Sequence, residues 1–263
     1  WYDQNDDYSS HAIYISITTN TVEINDCTFD RCGTLGSKYP IFDNGRETFI
    51  NNCNFLNDEG DLYRVGAVCV NSIGSHIITN CYINNGWGDY GVFKYTPQDN
   101  QNSGKEPYFR FINNTIDKCF GNDKIALNFD FHDSDDLDIE NVTIKNTEIS
   151  QACIVGINLG ENMNEFTLNK FNFIGNSVSD NNIGGSGIWI HNQEPGANIE
   201  FLNCLFENNN AIHDTNKGEK SGRGGGLNIG NNDEIRNVRI SLIECTFLNN
   251  HADKSGGAVC LLT

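Results

Sequence analysis

Asn203-Cys204-Leu205-Phe206-Glu207-Asn208-Asn209 and Glu244-Cys245-Thr246-Phe247-Leu248-Asn249-Asn250 are two renderings of one phrase. A polar residue precedes a cysteine, a phenylalanine stands two places after it, and two asparagines close the stretch. Toward the amino terminus the phrase recurs as Asn80-Cys81-Tyr82-Ile83, Asn52-Cys53-Asn54-Phe55 and Asp26-Cys27-Thr28-Phe29. Weaker copies stand between, at Asn113-Asn114-Thr115-Ile116, Asn141-Val142-Thr143-Ile144 and Lys170-Phe171-Asn172-Phe173. Counted at the cysteine place, the steps are 26, 28, 33, 28, 29, 33 and 41 residues. A period near 28 governs the chain, and internal repetition of that length marks a solenoid.

A second pattern lies upstream of most copies: a small residue, then alternating apolar residues. Examples are His11-Ala12-Ile13-Tyr14-Ile15, Gly66-Ala67-Val68-Cys69-Val70, Gly187-Ile188-Trp189-Ile190 and Gly256-Gly257-Ala258-Val259-Cys260-Leu261. Each repeat therefore carries two or more short period-two segments, the strand signature, separated by asparagine and glycine turns. Such strands bury an apolar face only by stacking repeat on repeat. The expected fold is all-β: a single parallel β-helix domain over residues 1–263, of about 8–9 coils.

Composition excludes other classes. The 263 residues include 41 asparagines and 26 glycines but only four prolines, which disfavours helix and spares strands. With 35 acidic against 17 basic side chains the formal charge is 17 − 35 = −18, so no nucleic-acid partner is expected. No apolar run reaches the roughly 18 residues of a membrane-spanning helix. No C-x-x-C pair offers zinc-ligand spacing.

Three copies are sharp enough to support a resemblance. Phe173-Ile174-Gly175-Asn176, Phe206-Glu207-Asn208-Asn209 and Phe247-Leu248-Asn249-Asn250 spell F-x-x-N, and each is followed by a glycine-rich strand such as Gly224-Gly225-Gly226-Leu227. Residues 170–263 thereby resemble the polymorphic outer-membrane-protein repeats of chlamydial type, and the segment 134–146 is similar to coils of pectin-lyase-like β-helices. The resemblance is degenerate over 1–169. It implies a right-handed β-helix, secretion to the extracellular space or cell surface, and an adhesive or structural role, and it supplies no catalytic residues.

Individual residues acquire expectations from the repeat. Cys27, Cys53, Cys81, Cys204 and Cys245 share one inward place and are read as a ladder of buried thiols, because in-register parallel strands do not present disulfide geometry. Cys32 and Cys119 occupy the turn place where other coils use asparagine, a residue suited to left-handed backbone and to hydrogen bonding along the stack. Alternation directs Ile13, Val68, Leu127, Ile188, Leu227 and Val259 inward and Tyr14, Phe93 and Trp189 outward, where Tyr14 and Trp189 are candidates for glycan stacking. Asn113 and Asn141 head glycosylation sequons and face out.

Catalysis is not expected. The one acidic concentration offers Asp133, Asp135 and Asp136 as weak Ca²⁺ candidates with His132 as a nearby base, and a lyase would need a cation from Arg110, Lys124 or Lys145. No other cofactor is expected. Residues 8–17 resemble residues 254–263, so both ends are expected to be uncapped. The partners expected are therefore further repeats of a longer chain or a second copy stacked head to tail, with host or matrix glycans on the faces. The rival reading is a carbohydrate-active β-helix, a polysaccharide lyase or glycoside hydrolase, or a glycan-binding module.

Overall fold

A computed structural model describes residues 12–16, 18–32, 39–57, 66–72, 74–86, 92–98, 108–121, 126–131, 136–150, 153–159, 163, 165–179, 187–192, 197–213, 222–229 and 239–261. Among them there is strand and turn but no helix. The strands stack into parallel faces that the chain visits in a fixed order. The first face holds seven strands, from Ile13–Ile15 to Ile188–Asn192. The second holds eight, from Thr21–Asn25 to Arg239–Ile243, and the third eight of three residues each, from Thr28–Asp30 to Thr246–Leu248. A fourth face of five short strands runs from Phe120–Gly121 to His251–Ala252. Neighbours within a face lie one repeat apart in the chain, so the architecture is a parallel β-helix. The expected coil number is approached on only two faces. On the first, stacking stops at seven strands, and Leu227–Ile229 pairs with Val259–Leu261 in a separate two-stranded sheet.

Period-two alternation is kept in register from rung to rung. On the second face Ile24, Ile50, Ile78, Phe111, Ile139, Leu168, Phe201 and Leu242 form one inward column. On the third, Phe29, Phe55, Ile83, Ile116, Ile144, Phe173, Phe206 and Phe247 form another. Each such side chain contributes roughly 1.5–3 kcal/mol when fully buried. Like residues also stack along the axis: Phe206 lies 4.8 Å from Phe247 with rings 4° from parallel, and Phe29 lies 5.0 Å from Phe55.

Corners fix where each strand ends. Between the second and third faces every rung carries one left-handed residue: Asp26, Asn52, Asn80, Asn113, Asn141, Lys170, Asn203 and Glu244, with φ from 52° to 58°. The cysteine place follows directly. A second left-handed corner closes the third face at Arg31, Asn85, Lys118, Asn146, Gly175, Asn208 and Asn249. The inward place after that corner is taken by Cys119, Thr147, Asn176, Asn209 and Asn250 in successive rungs. The sequence reading assigned both left-handed geometry and ladder bonding to this last place. The two duties are separate: the residue before it turns the backbone, and the inward asparagine makes the bonds. A side chain pointing into the core leaves the exposed neighbour to adopt the strained φ.

The inward asparagines form a continuous ladder. Asn209 Oδ1 accepts from the backbone N–H of Asn176 at 3.0 Å and from its Nδ2 at 3.1 Å, while Asn209 Nδ2 donates to the Phe173 carbonyl at 2.8 Å. Asn250 repeats the pattern one rung on, accepting from Asn209 N and donating to the Phe206 carbonyl. Asn209→Ala removes the partner of the Asn176 N–H inside the core and the second of two donors to the Phe173 carbonyl, which keeps the Glu207 N–H of the strand pairing. An unmet buried donor costs about 1–3 kcal/mol, and urea unfolding is expected to register a loss of that size.

Candidate functional site

Two inward columns are interrupted by polar residues at the same corner. On the first face Asp43 stands between Ile15 and Val70, and on the second Thr48 and His76 stand between Val22 and Phe109. Asp43-Asn44-Gly45 makes the turn between the faces, and the Gly45 N–H donates to Asp43 Oδ1 at 2.8 Å. One rung later Ser72 ends a first-face strand and His76 lies early in the next. His76 Nδ1 lies 3.0 Å from Asp43 Oδ2, and Ser72 Oγ lies 3.3 Å from His76 Nε2. Asp43, Thr48 and His76 are fully buried and Ser72 nearly so, with the Tyr95 ring edge-on to the imidazole at 6.3 Å.

This is the residue set of a serine hydrolase, but its proton order is reversed. A nucleophilic serine donates its proton to the imidazole. Here Ser72 Oγ lies 2.7 Å from the Gly45 carbonyl, closer than to the ring, so its single proton goes to that carbonyl. His76 Nε2 must then donate to Ser72, and it has no lone pair with which to act as a base. His76 Nδ1 approaches Asp43 Oδ2 off the line of a ring N–H bond, and neither atom completes a hydrogen bond. With the Thr48 hydroxyl also unmatched, the cluster is a polar island in an apolar core. Nothing in the repeat phrase announces it. The available signal was polar residues at the inward places of Ile41-Phe42-Asp43 and Ser75-His76-Ile77-Ile78.

The residues singled out from the sequence distribute as follows. Cys27, Cys53, Cys81, Cys204 and Cys245 do share one inward place, completed by Asn114, Val142 and Phe171. All ten cysteines are free thiols. Burial pushes Cys81, Cys119, Cys153 and Cys204 up to about 12 and raises Cys53. Asn114, in the same column, accepts from the Cys81 N–H and donates to the Ile78 carbonyl, so an amide serves where a thiol would.

Asn113 and Asn141 are exposed and belong to an outer ladder: Asn141 Nδ2 donates to Asn113 Oδ1 at 2.8 Å, and Asn113 Nδ2 to Asn80 Oδ1 at 3.2 Å. Asp136 is engaged by Arg110, whose guanidinium donates to its carboxylate at 2.7 Å, which sets a fixed cation against one of the Ca²⁺ candidates. Asp133, Asp135 and His132 lie outside the described residues, as does Lys124. Among the described residues no group of three His, Cys, Asp or Glu side chains is placed to hold a metal ion, and no helix is long and apolar enough to cross a membrane.

The proposed aromatic stripe is corrected. Phe93 pairs with Val68 and Leu127 in an inward column, so Lys94, and not Phe93, shares the outer face. The outer column reads Tyr14, Phe42, Cys69, Lys94, Asn128, Gly156 and Trp189. Six strand spacings of about 4.8 Å separate Tyr14 from Trp189, roughly 29 Å, so one sugar cannot touch both. Tyr14 is 44% exposed and stacks on Phe42 at 5.9 Å, and Trp189 is half-buried.

Comparison with protein-family models, curated proteins and solved structures gives no match. The reading of this chain therefore rests on its own residues.

Two outcomes are expected from these environments. A thiol reagent such as Ellman's, applied to the native protein, should modify the half-buried Cys27, Cys32 and Cys245 and reach the other seven cysteines only after unfolding. Asp117 supplies a pH test. Burial opposes its ionisation, but hydrogen bonds from Asn146 and Tyr82 and the Lys145 ammonium at 3.4 Å outweigh burial and hold its carboxyl below the usual range. A depressed carboxyl stabilises the fold above its unfolded pKa and ceases to as pH falls through its folded one. Asp117→Asn should thus lose about 1 kcal/mol at neutral pH, a difference that fades in acid titrations of unfolding.

Proposed function

We propose that this protein is a non-catalytic, extracellular structural or surface element, a rod that acts through its faces and extends by strand addition at its ends. The observation that carries this reading is the last rung. Of the six large hydrophobic side chains exposed among the described residues, Leu242, Ile243, Leu248 and Leu261 all lie there, at 39%, 46%, 45% and 51%. In every earlier rung the place of Leu242 is filled by a buried apolar residue, and in all but the first that residue has strands on both sides.

The occupant that fits is a rung of the same form, a further repeat of the same protein or the first rung of a second copy, and the first rung shows the match. Residues 21–32 and 239–250 run through the same conformations: a five-residue strand, a left-handed corner at Asp26 or Glu244, a cysteine, a three-residue strand, and a left-handed corner at Arg31 or Asn249. Stacked in the register used inside the rod, Ile24 would cover Leu242, Cys27 would cover Cys245 and Phe29 would cover Phe247. The apposed Asp26 and Glu244 carboxylates repel, and so does the overall charge of −18. Association should therefore strengthen with ionic strength. The outward-facing sequon asparagines and the resemblance to secreted surface repeats support the extracellular placement.

Sedimentation velocity over a concentration series, at low and high salt, tests this. Growing species longer than a dimer are expected, and Leu242→Lys should abolish them while leaving the circular-dichroism spectrum unchanged. A wild-type protein that stays monomeric at its highest soluble concentration in high salt would remove end-to-end growth from the reading.

A further inference from the structure

The buried cluster at Asp43 and His76 has no part in the proposed surface role, yet it interrupts an otherwise apolar interior. It joins two particular rungs: Asp43 lies on the second rung of the first face and His76 on the third rung of the second face. We propose that the Asp43–His76–Ser72 cluster is a register key, a buried polar contact that forms only when the second and third rungs are stacked in native order.

Main-chain pairing cannot by itself choose that order. Every rung turns on the same left-handed corner before the cysteine place. The first three rungs present Cys27, Cys53 and Cys81 at that place, Ile24, Ile50 and Ile78 in one column, and Phe29, Phe55 and Ile83 in another. If the second rung were extruded and the third laid on the first, cysteine would still meet cysteine and isoleucine meet isoleucine. If the third rung is skipped and the fourth laid on the second, Ile50 meets Phe111 and Phe55 meets Ile116, so both apolar columns stay apolar and only Cys53 changes partner, to Asn114. A parallel stack of near-identical rungs is thus open to errors of a whole repeat, as repeat arrays are.

The polar cluster penalises both errors. Extruding the second rung removes Asp43 and leaves His76 facing Val22 in the core. Extruding the third removes His76 and Ser72 and leaves Asp43 facing Tyr95 and Thr48 facing Phe109. Either way a buried polar side chain comes to face an apolar one, whereas the native order sets Nδ1 and Oδ2 against each other at 3.0 Å. Breaking one side of a buried pair disfavours the state by more than about 100-fold, while replacing both sides with apolar residues is often neutral or stabilising. A contact retained at no gain in stability, but decisive between alternative stackings, is the expected form of such a key.

Hydrogen exchange read by mass spectrometry after refolding from denaturant tests it, because an extruded rung loses protection. In the wild type, peptides from residues 41–56 and 68–83 should each show one protected population. Asp43→Leu with His76→Leu should still unfold cooperatively, but a second, unprotected population of one of these peptides should rise at least about tenfold above the wild-type level. The exchanged pair, Asp43→His with His76→Asp, restores the contact and should restore a single population, and it serves also where the double leucine variant does not fold. A double leucine variant with one fully protected population, or an exchanged pair that folds but stays mixed, would falsify the key.

Discussion

One backbone constraint organises the molecule: a single residue with positive φ between the second and third faces, recurring in all eight rungs. It ends one strand, turns the chain and sets the next side chain inward. Because the corner comes at the same point of each coil, strands fall into register and residues of one kind collect in columns. The apolar interior, the thiol column and both asparagine ladders all depend on that alignment. Asparagine supplies five of the eight corners, since its short side chain tolerates left-handed geometry better than most. Asp26, Lys170 and Glu244 occupy the others and bear the strain within a well-determined stack.

Much of this was legible because the constraint has a compositional trace. The phrase around Cys204 and Phe206 recurs with little variation, and register followed from it even at Asn114, Val142 and Phe171, where the cysteine is lost. Legibility failed where alternation is only local. Phe93 was assigned outward because the chain near it offers no sharp copy to align on, and only pairing with Val68 and Leu127 shows its direction. The double asparagine at the end of the phrase concealed two roles, since a string of identical letters does not say which residue turns and which bonds.

The polar island was illegible for a different reason. Asp43 and His76 lie 33 residues apart and on different faces, and neither belongs to the repeat phrase. A pattern search that looks for what recurs discards what occurs once. Their closeness is a product of the stack, as is the direction of the Ser72 proton, which depends on a carbonyl contributed by the neighbouring rung. Residue types alone would have suggested a hydrolase. Hydrogen-bond direction separates that reading from the one adopted.

The inner asparagine ladder has one further consequence. In each of its steps Asn176, Asn209 or Asn250 presents its oxygen toward the preceding rung, accepting from it, so the amide dipoles add along the axis. Bonds in such a chain polarise one another. The rod is therefore directional in the way a magnet is, with unlike poles. Its last described rung carries an inward asparagine whose own N–H faces onward, while among the earlier rungs the same place holds Cys32 and Cys119, whose thiols are weaker acceptors than an amide oxygen. Rungs at the two ends should accordingly fray and grow at unequal rates, and any assembly built from this coil would advance from one pole.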